Sequence, residues 1–328
     1  MTSIALPTAA GRPLWRTAQF LGVFLTLVLL GALWLAPKPT LHVLWDMVIP
    51  LLPVVFLVNP LIWRNVCPLA TLNDLSGNRP GRHPMKSGMT RAGWIVGIAL
   101  LFVLVPARRF LFNENGPALA IAIALIAVLS LIAGLLFARR AGFCSSICPV
   151  LPVEKLYGQV PLLAVRGARC DQCTLCTTVG CIDLAATKTV AQTIGPLRRD
   201  GRWLRTGFGA FAAAFPGFVI GYFTATNGDL ATAPAVYLRV LALSALSYVI
   251  VAAAATALRL RAVVAIPLLG ASALALYYWY ATPSLVEAYG APGAATLALR
   301  VVIGATLVAW LRTVWLHTNG RTDTAEAQ

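Results

Sequence analysis

Residues 117–138 read PALAIAIALIAVLSLIAGLLFA, an apolar run without a single charged side chain. About 20 such residues in helical form are enough to cross the hydrocarbon core of a bilayer. Seven further apolar runs lie on either side of this one, separated by polar connections. The sequence therefore predicts eight transmembrane helices, at 17–36, 41–62, 92–111, 117–138, 204–225, 235–258, 262–281 and 293–316.

The composition excludes an ordinary soluble protein. Hydrophobic residues make up 59% of the chain and charged residues only 11%, with a mean hydropathy of +0.79. A net charge of +15 would suggest nucleic acid in a soluble protein, but here the basic residues lie in the connections between spans. We therefore predict an all-α integral membrane protein that contacts lipid and binds no nucleic acid. The first apolar run is expected to be a retained span and not a cleaved signal peptide.

The distribution of Lys and Arg predicts the orientation. Cytoplasmic connections of membrane proteins are enriched in these residues. With the N-terminus inside, 21 of the 26 basic residues fall on the cytoplasmic side, and the opposite side has only Lys38, Arg108 and Arg109. Eight spans return the C-terminus to the cytoplasm. Both long connections, 63–91 and 139–203, are therefore predicted to be cytoplasmic.

An internal repeat divides the first half of the chain. At an offset of 81 residues, Cys67-Pro68 lines up with Cys148-Pro149, and each copy follows a pair of spans. The copies differ four residues earlier, where Trp63 stands in the first and Cys144 in the second. The predicted organisation has four regions: 17–138 with four helices in two repeated pairs, an iron–sulfur loop at 139–203, four C-terminal helices at 204–316 and a polar tail at 317–328.

All cysteines of the chain fall in the two predicted cytoplasmic loops and none in a span. The seven are Cys67, Cys144, Cys148, Cys170, Cys173, Cys176 and Cys181. Because the cytoplasm keeps thiols reduced, structural disulfides are not expected there. The distribution predicts metal binding.

The strongest motif is the C-x2-C-x2-C run of Cys170, Cys173 and Cys176. Three thiolates at this spacing are typical of a [4Fe–4S] cluster. A structural zinc site more often has two C-x2-C pairs separated by a longer spacer. Bacterial ferredoxins continue with C-x3-C-P, whereas Cys181 lies five positions after Cys176. The cluster to which Cys181 belongs therefore stays open.

Two [4Fe–4S] clusters need eight ligands, whereas the chain has seven cysteines. This leaves two alternatives. In one, Cys170, Cys173 and Cys176 share a cluster with Cys67 or Cys148, and the remaining cysteines hold a second cluster that has a non-cysteine ligand or an open iron. In the other, a single cluster is present. The sequence favours two clusters slightly, because the loop cysteines lie on one side of the membrane.

Charged residues inside predicted spans are costly and often functional. Asp46, Arg239 and Arg300 are such residues, all in the outer halves of their spans. An ion pair of Asp46 with one of the arginines and a quinone or proton site are both compatible with this placement.

Haem and protein-based catalysis are not expected. The three histidines, His42, His83 and His317, are too dispersed to supply paired axial ligands from facing helices. No constellation of acid, base and nucleophile is evident, so any chemistry would belong to a cofactor. Whether the chain is an enzyme subunit in its own right stays open.

Three cysteine motifs resemble those of a known family: the C-x3-C-P of Phe143–Pro149, its partial twin at Cys67-Pro68 and the run from Cys170. The family is the membrane polyferredoxins, typified by NapH and by the C-terminal part of NosR. NapH is the quinol-dehydrogenase membrane component of periplasmic nitrate reductase systems, and NosR is the regulator of nitrous-oxide reductase. The resemblance covers roughly residues 17–190. The last four spans lie outside it.

The resemblance implies a protein of the bacterial-type cytoplasmic membrane. It also implies cytoplasmic [4Fe–4S] clusters, and electron passage between the quinone pool and a redox partner protein by quinol oxidation. Two other functions remain as alternatives. One is an assembly factor that supplies electrons to a respiratory metalloenzyme, and the other is a zinc-stabilised membrane scaffold.

Overall fold

The prediction of a helical, multi-pass membrane protein is confirmed. A computed structural model describes residues 3–5, 11–75, 87–137, 142–159, 161–162, 164–166 and 201–325. The described part contains eight helices that are long and apolar enough to cross a membrane. These spans are Arg16–Leu35, Pro37–Val58, Gly88–Phe112, Gly116–Leu136, Gly207–Thr224, Leu230–Ala257, Ala262–Ala288 and Ala294–Trp315.

The helical elements follow one another with few other structures between them. In chain order they are α1 Gly11–Leu35, α2 Pro37–His42, α3 Leu52–Val58, α4 Pro60–Val66, α5 Pro68–Asp74, α6 Ser87–Ala107, α7 Gly116–Leu136, α8 Leu151–Tyr157, α9 Gly207–Thr224, α10 Ala233–Ala257, α11 Ala262–Ala288 and α12 Ala294–Ala325. Two short strands, β1 Ser3–Ala5 and β2 Ala164–Arg166, pair in parallel with Ser3 opposite Ala164.

The second span is irregular. Between α2 and α3 the chain forms a π-helical turn at Val43–Val48 and a 3-10 turn at Ile49–Leu51. Pro50 and Pro53 remove backbone N–H donors there, and local π and 3-10 turns compensate within membrane helices. The span ends at Asn59, which is extended because Pro60 follows it.

The outer faces of the bundle are apolar. Large side chains such as Phe20 in the first span, Leu238 in the sixth and Val301 in the eighth are more than half exposed. In water such surfaces would be unfavourable, whereas in a bilayer they contact lipid chains.

The two short helices after the Cys-Pro pairs lie against spans and not in a free loop. α5 packs on α7, where Asn73 donates a 2.7 Å hydrogen bond to the Ser130 carbonyl. α8 packs among α3, α6, α9 and α11, and the carbonyl of Leu156 lies against Gly270. Gly270 is eight residues after the first residue of α11, about 12 Å along the helix at 1.5 Å per residue. The connection predicted at 139–203 therefore begins with a segment that enters the bundle.

Candidate functional site

The two Cys-Pro pairs have the same backbone conformation. Cys67 has φ −60° and ψ 123°, and Cys148 has φ −58° and ψ 121°. The following proline imposes this extended ψ, because the helical conformation would clash with its ring. Each cysteine therefore stands at the junction between a preceding helical turn and the short helix that follows.

Each Cys-Pro pair is seated on a glycine of a long helix. An added Cβ at Gly22 would lie 2.6 Å from the carbonyl oxygen of Val66, and one at Gly97 would lie 3.1 Å from those of Ile147 and Cys148. Glycine is needed at these two positions because the backbones approach so closely. Gly97 is nine residues after the start of the third span, so the Cys148 carbonyl lies about 13 Å along that helix from its first residue.

The turn before the second pair differs from that before the first. The Cys67 amide donates to the Trp63 carbonyl, as in an α-helix, whereas the Cys148 amide donates to Phe143, one residue further back. Residues Phe143–Ile147 form a π-helical turn. Such turns are rare and frequent at functional sites. Here the turn contains Cys144, and its counterpart Trp63 packs edge-on against Phe56 instead.

Three ionisable side chains that interact with one another are buried in this part of the bundle. Arg64, Glu154 and Lys155 are 8%, 4% and 5% exposed, and they are the only buried residues with charged side chains among those the structure describes. The Arg64 guanidinium donates through Nε to a carboxylate oxygen of Glu154. The ammonium of Lys155 lies 4.2 Å from the centre of the Trp94 ring, a cation–π contact.

The three cysteines and these charges form one neighbourhood, which we call the cysteine site: Cys67, Cys144, Cys148, Arg64, Glu154 and Lys155. Cys148 lies within electrostatic range of Cys67 and Glu154, and Arg64 within range of Cys144 and Cys148. Two of its charged groups are cations and one is an anion. A buried excess of positive charge is unfavourable unless a negative group balances it.

Burial shifts the proton affinities in this site. Burial, together with the neighbouring Cys67, raises the pKa of Cys148 to about 12. Burial also lowers the pKa of Lys155 to about 7, and the positive charge of Arg64 acts in the same direction. Both shifts follow from the cost of a charge away from water. A metal that binds Cys148 must therefore displace its proton.

The structure brings together three of the seven predicted cysteine ligands, Cys67, Cys144 and Cys148. Within the described ranges, no three Cys, His, Asp or Glu side chains are arranged to hold a single metal ion. The other four predicted ligands, Cys170, Cys173, Cys176 and Cys181, lie outside the described residues.

Asp46 lies at the other end of the bundle, and neither Arg239 nor Arg300 pairs with it. Its carboxylate contacts His42 Nδ1 at 2.9 Å and an Arg108 guanidinium nitrogen at 3.4 Å. Arg239 donates instead to the hydroxyl of Thr224, which lies on the neighbouring helix. The first alternative for Asp46, an ion pair with one of these two arginines, is therefore wrong, because Arg108 at the end of the third span is its partner.

Arg300 also has its contacts elsewhere. It donates to the Thr282 hydroxyl at 3.1 Å and to the Trp279 carbonyl at 2.5 Å, and it stacks 4.1 Å from the centre of the Trp279 ring. These interactions join the last two spans. They describe a helix-packing role for Arg300.

A cavity of about 240 Å³ opens beside Asp46. Arg108 donates to the Tyr222 hydroxyl and stacks 4.7 Å from the centre of the Trp45 ring. Arg109 stacks on Tyr222, and its Nε is buried without a hydrogen-bond partner. We call this space the Asp46 cavity; its lining includes Trp45, Asp46, Arg108, Arg109, Phe223 and Tyr280.

Sequence reasoning missed Arg64, Glu154, Lys155 and the role of the arginine pair at 108–109. Glu154 and Lys155 lie five and six positions after Pro149, and Arg64 lies three positions before Cys67. A charged residue so close to each copy was the available signal. Their burial was not visible, because the polar segment reads as a solvated loop.

Comparison of the chain with protein-family models, curated proteins and solved structures finds no match.

Proposed function

We propose that this protein is a membrane electron carrier that relays electrons through one or two [4Fe–4S] clusters, at the predicted cytoplasmic end of the bundle, between the quinone pool and a redox partner protein. The observation that carries the proposal is the convergence of Cys67, Cys144 and Cys148 beside an excess of buried positive charge. The C-x2-C-x2-C run that begins at Cys170 supports it.

The cysteine site fits such a group in its donor chemistry. Iron–sulfur clusters are held by thiolates and carry net negative charge, which the cations of Arg64 and Lys155 would balance. Each thiolate of a cubane binds a different iron, so its ligands need not converge on one point as those of a single ion must. A fourth ligand would come from the run that begins at Cys170. This donor set favours a cluster over a zinc-stabilised scaffold.

A bound cluster would accept and pass on one electron at a time. The protein's own contribution would be to hold the cluster against the third span, at the level of Gly97, and to cover it with apolar side chains, which exclude water and lower the local dielectric constant. The buried short helix α8 provides much of this cover, because Leu151, Leu156 and Tyr157 are each 2% exposed or less.

The Asp46 cavity suits the head group of a quinol. Aromatic rings line it, and the arginines offer donors for the quinone oxygens. A quinol loses two electrons and two protons on oxidation. The electrons would pass to the clusters one at a time, the Asp46 carboxylate would accept one proton, and water at the mouth of the cavity would accept the other. Arg108 is eleven residues from Gly97, so about 16 Å along the third span separates the cavity from the level of Cys148.

Anaerobic purification tests the proposal. We expect iron and acid-labile sulfide in equal amounts, and an EPR signal at low temperature after reduction with dithionite. Cys170→Ser and Cys148→Ser should each lose iron. The same preparation with zinc and no sulfide would refute the relay and favour the scaffold.

Reduction by a quinol analogue separates relay from assembly. Asp46→Asn should slow reduction of the clusters by the quinol while leaving iron content and reduction by dithionite unchanged. Glu287→Gln, a carboxylate change in the seventh span outside the lining of the cavity, serves as the matched control. Clusters that dithionite reduces but no quinol does would favour the assembly factor. An unchanged rate of cluster reduction by quinol in Asp46→Asn would rule out the cavity as the quinol site.

A further inference from the structure

The charges of the cysteine site are arranged for more than structural pairing. A salt bridge that served only to join the two repeats would need no charged residues besides Arg64 and Glu154, which contact each other. Lys155 is a second buried cation, next in the chain to Glu154, and it rests on Trp94. Buried lysine is rare and costly unless something compensates it.

A cluster in this site would respond to these charges. Adding one electron makes the cluster more negative by one unit. A nearby cation stabilises the reduced form more than the oxidised form, and a nearby carboxylate does the opposite. Because the site is buried, these interactions are weakly screened by solvent. Net charge and hydrogen bonds around the sulfurs are among the factors that set the reduction potentials of iron–sulfur clusters.

We propose that Lys155 and Arg64 raise, and Glu154 lowers, the reduction potential of the cluster bound at Cys67, Cys144 and Cys148, with Glu154 positioning the Arg64 guanidinium beside the thiolates. This inference rests on the proposed function, because it presupposes a cluster at these cysteines. Arg64 is charged at any physiological pH, so its contribution is permanent.

The positions of the three residues support this division of roles. Arg64 contacts Glu154 and interacts electrostatically with the thiols of Cys144 and Cys148. Glu154 is itself within electrostatic range of Cys148. The guanidinium has five N–H donors and uses Nε for the carboxylate.

The test compares midpoint potentials of matched variants in the full-length protein. EPR-monitored redox titrations would follow wild type, Lys155→Met, Glu154→Gln and Arg64→Lys, after anaerobic purification and iron analysis. Arg312→Gln removes an exposed positive charge from the last span and is the control. The signal that Cys148→Ser alters identifies the cluster in question.

We expect potential shifts of opposite sign. Lys155→Met should shift the midpoint to lower potential and Glu154→Gln to higher potential. Arg64→Lys and Arg312→Gln should leave it close to the wild-type value, because the first retains the charge and the second is exposed. These variants avoid deleting Arg64, which would leave Glu154 as a buried, uncompensated anion and endanger folding.

Three outcomes overturn the inference. One is a full complement of iron with unchanged potentials in both Lys155→Met and Glu154→Gln. Another is a shift of the same sign in both. The third is loss of iron from both variants, because the charges would then be needed for cluster assembly and not for setting the reduction potential. A wild-type protein that binds no cluster is a different result, which refutes the proposed function itself.

Discussion

The close contact between Gly97 and the second Cys-Pro segment predicts a specific intolerance to a single methyl group. In Gly97→Ala the new Cβ would lie 3.1 Å from the carbonyl oxygens of Ile147 and Cys148 and 3.2 Å from the Ile147 carbonyl carbon. These neighbours are backbone atoms and cannot rotate away as a side chain can. The Cys-Pro segment must therefore move to make room.

The magnitude follows from two opposing effects. Overpacking a tight interface costs about 1–3 kcal/mol, while replacing glycine by alanine inside a helix gains up to about 1 kcal/mol. Gly31 lies in the first span with open space around it, so Gly31→Ala should show only the gain in helix stability. We expect Gly97→Ala to be less stable than Gly31→Ala by about 1–3 kcal/mol. Gly22→Ala, with a contact of 2.6 Å, should be affected at least as strongly.

Thermal unfolding in detergent, followed by the monodisperse fraction that survives heating, measures this difference. In cluster-free protein the maleimide labelling rate of Cys148 gives a second measure, since a displaced segment exposes its buried thiol. Gly97→Ala should unfold at a lower temperature and label faster than Gly31→Ala. Equal unfolding temperatures together with equal labelling rates would refute the close contact between Gly97 and the Cys-Pro segment.

Three further predictions concern the buried polar groups. Arg64→Ala should destabilise the cluster-free protein by about 3–5 kcal/mol in a thermal assay, because Glu154 is left buried without its counter-charge; a loss below 1 kcal/mol would contradict the pairing. Burial holds the pKa of Lys155 at about 7 against an ordinary 10.5, so the unfolded state binds more protons between these values and the contribution of Lys155 to stability rises with pH. Lys155→Met lacks this dependence, so in cluster-free protein the stability of wild type relative to Lys155→Met should rise from pH 7 to pH 10. A constant difference would contradict the lowered pKa of Lys155. Tyr278→Phe removes the 2.8 Å hydrogen bond that its hydroxyl donates to the Pro50 carbonyl and should cost about 1–3 kcal/mol, whereas an unchanged unfolding temperature would mean that water replaces the donor.

The two ends of the bundle have different chemistry. The end with Cys67 and Cys148 combines thiols with a positive excess, whereas the end with Asp46 combines aromatic rings with two arginines. If quinol oxidation takes place at the Asp46 cavity, its protons are released on the side opposite to the cysteines. Electron transfer toward the cysteine site would then separate charge across part of the membrane.

The number and approximate position of the spans could be predicted from the sequence by itself. A continuous apolar run such as 117–138 allows no other structure in a bilayer, because the backbone must satisfy its own hydrogen bonds where no water is present. The seven cysteines and the C-x2-C-x2-C spacing of Cys170, Cys173 and Cys176 likewise give the iron–sulfur prediction without coordinates. The side of the membrane remains a prediction from the charge distribution.

Only the tertiary structure decided what surrounds those residues. The segment of α8 contains Glu154 and Lys155 and reads as a loop, because the cost of burying charge depends on partners that are distant in sequence. Arg64, ninety residues from Glu154 in the chain, supplies one partner, and Trp94 supplies another. Asp46 could be identified as a charge in a span, but its partner proved to be Arg108. Local pattern thus determined which residues enter the membrane, and long-range packing determined which of their charges meet.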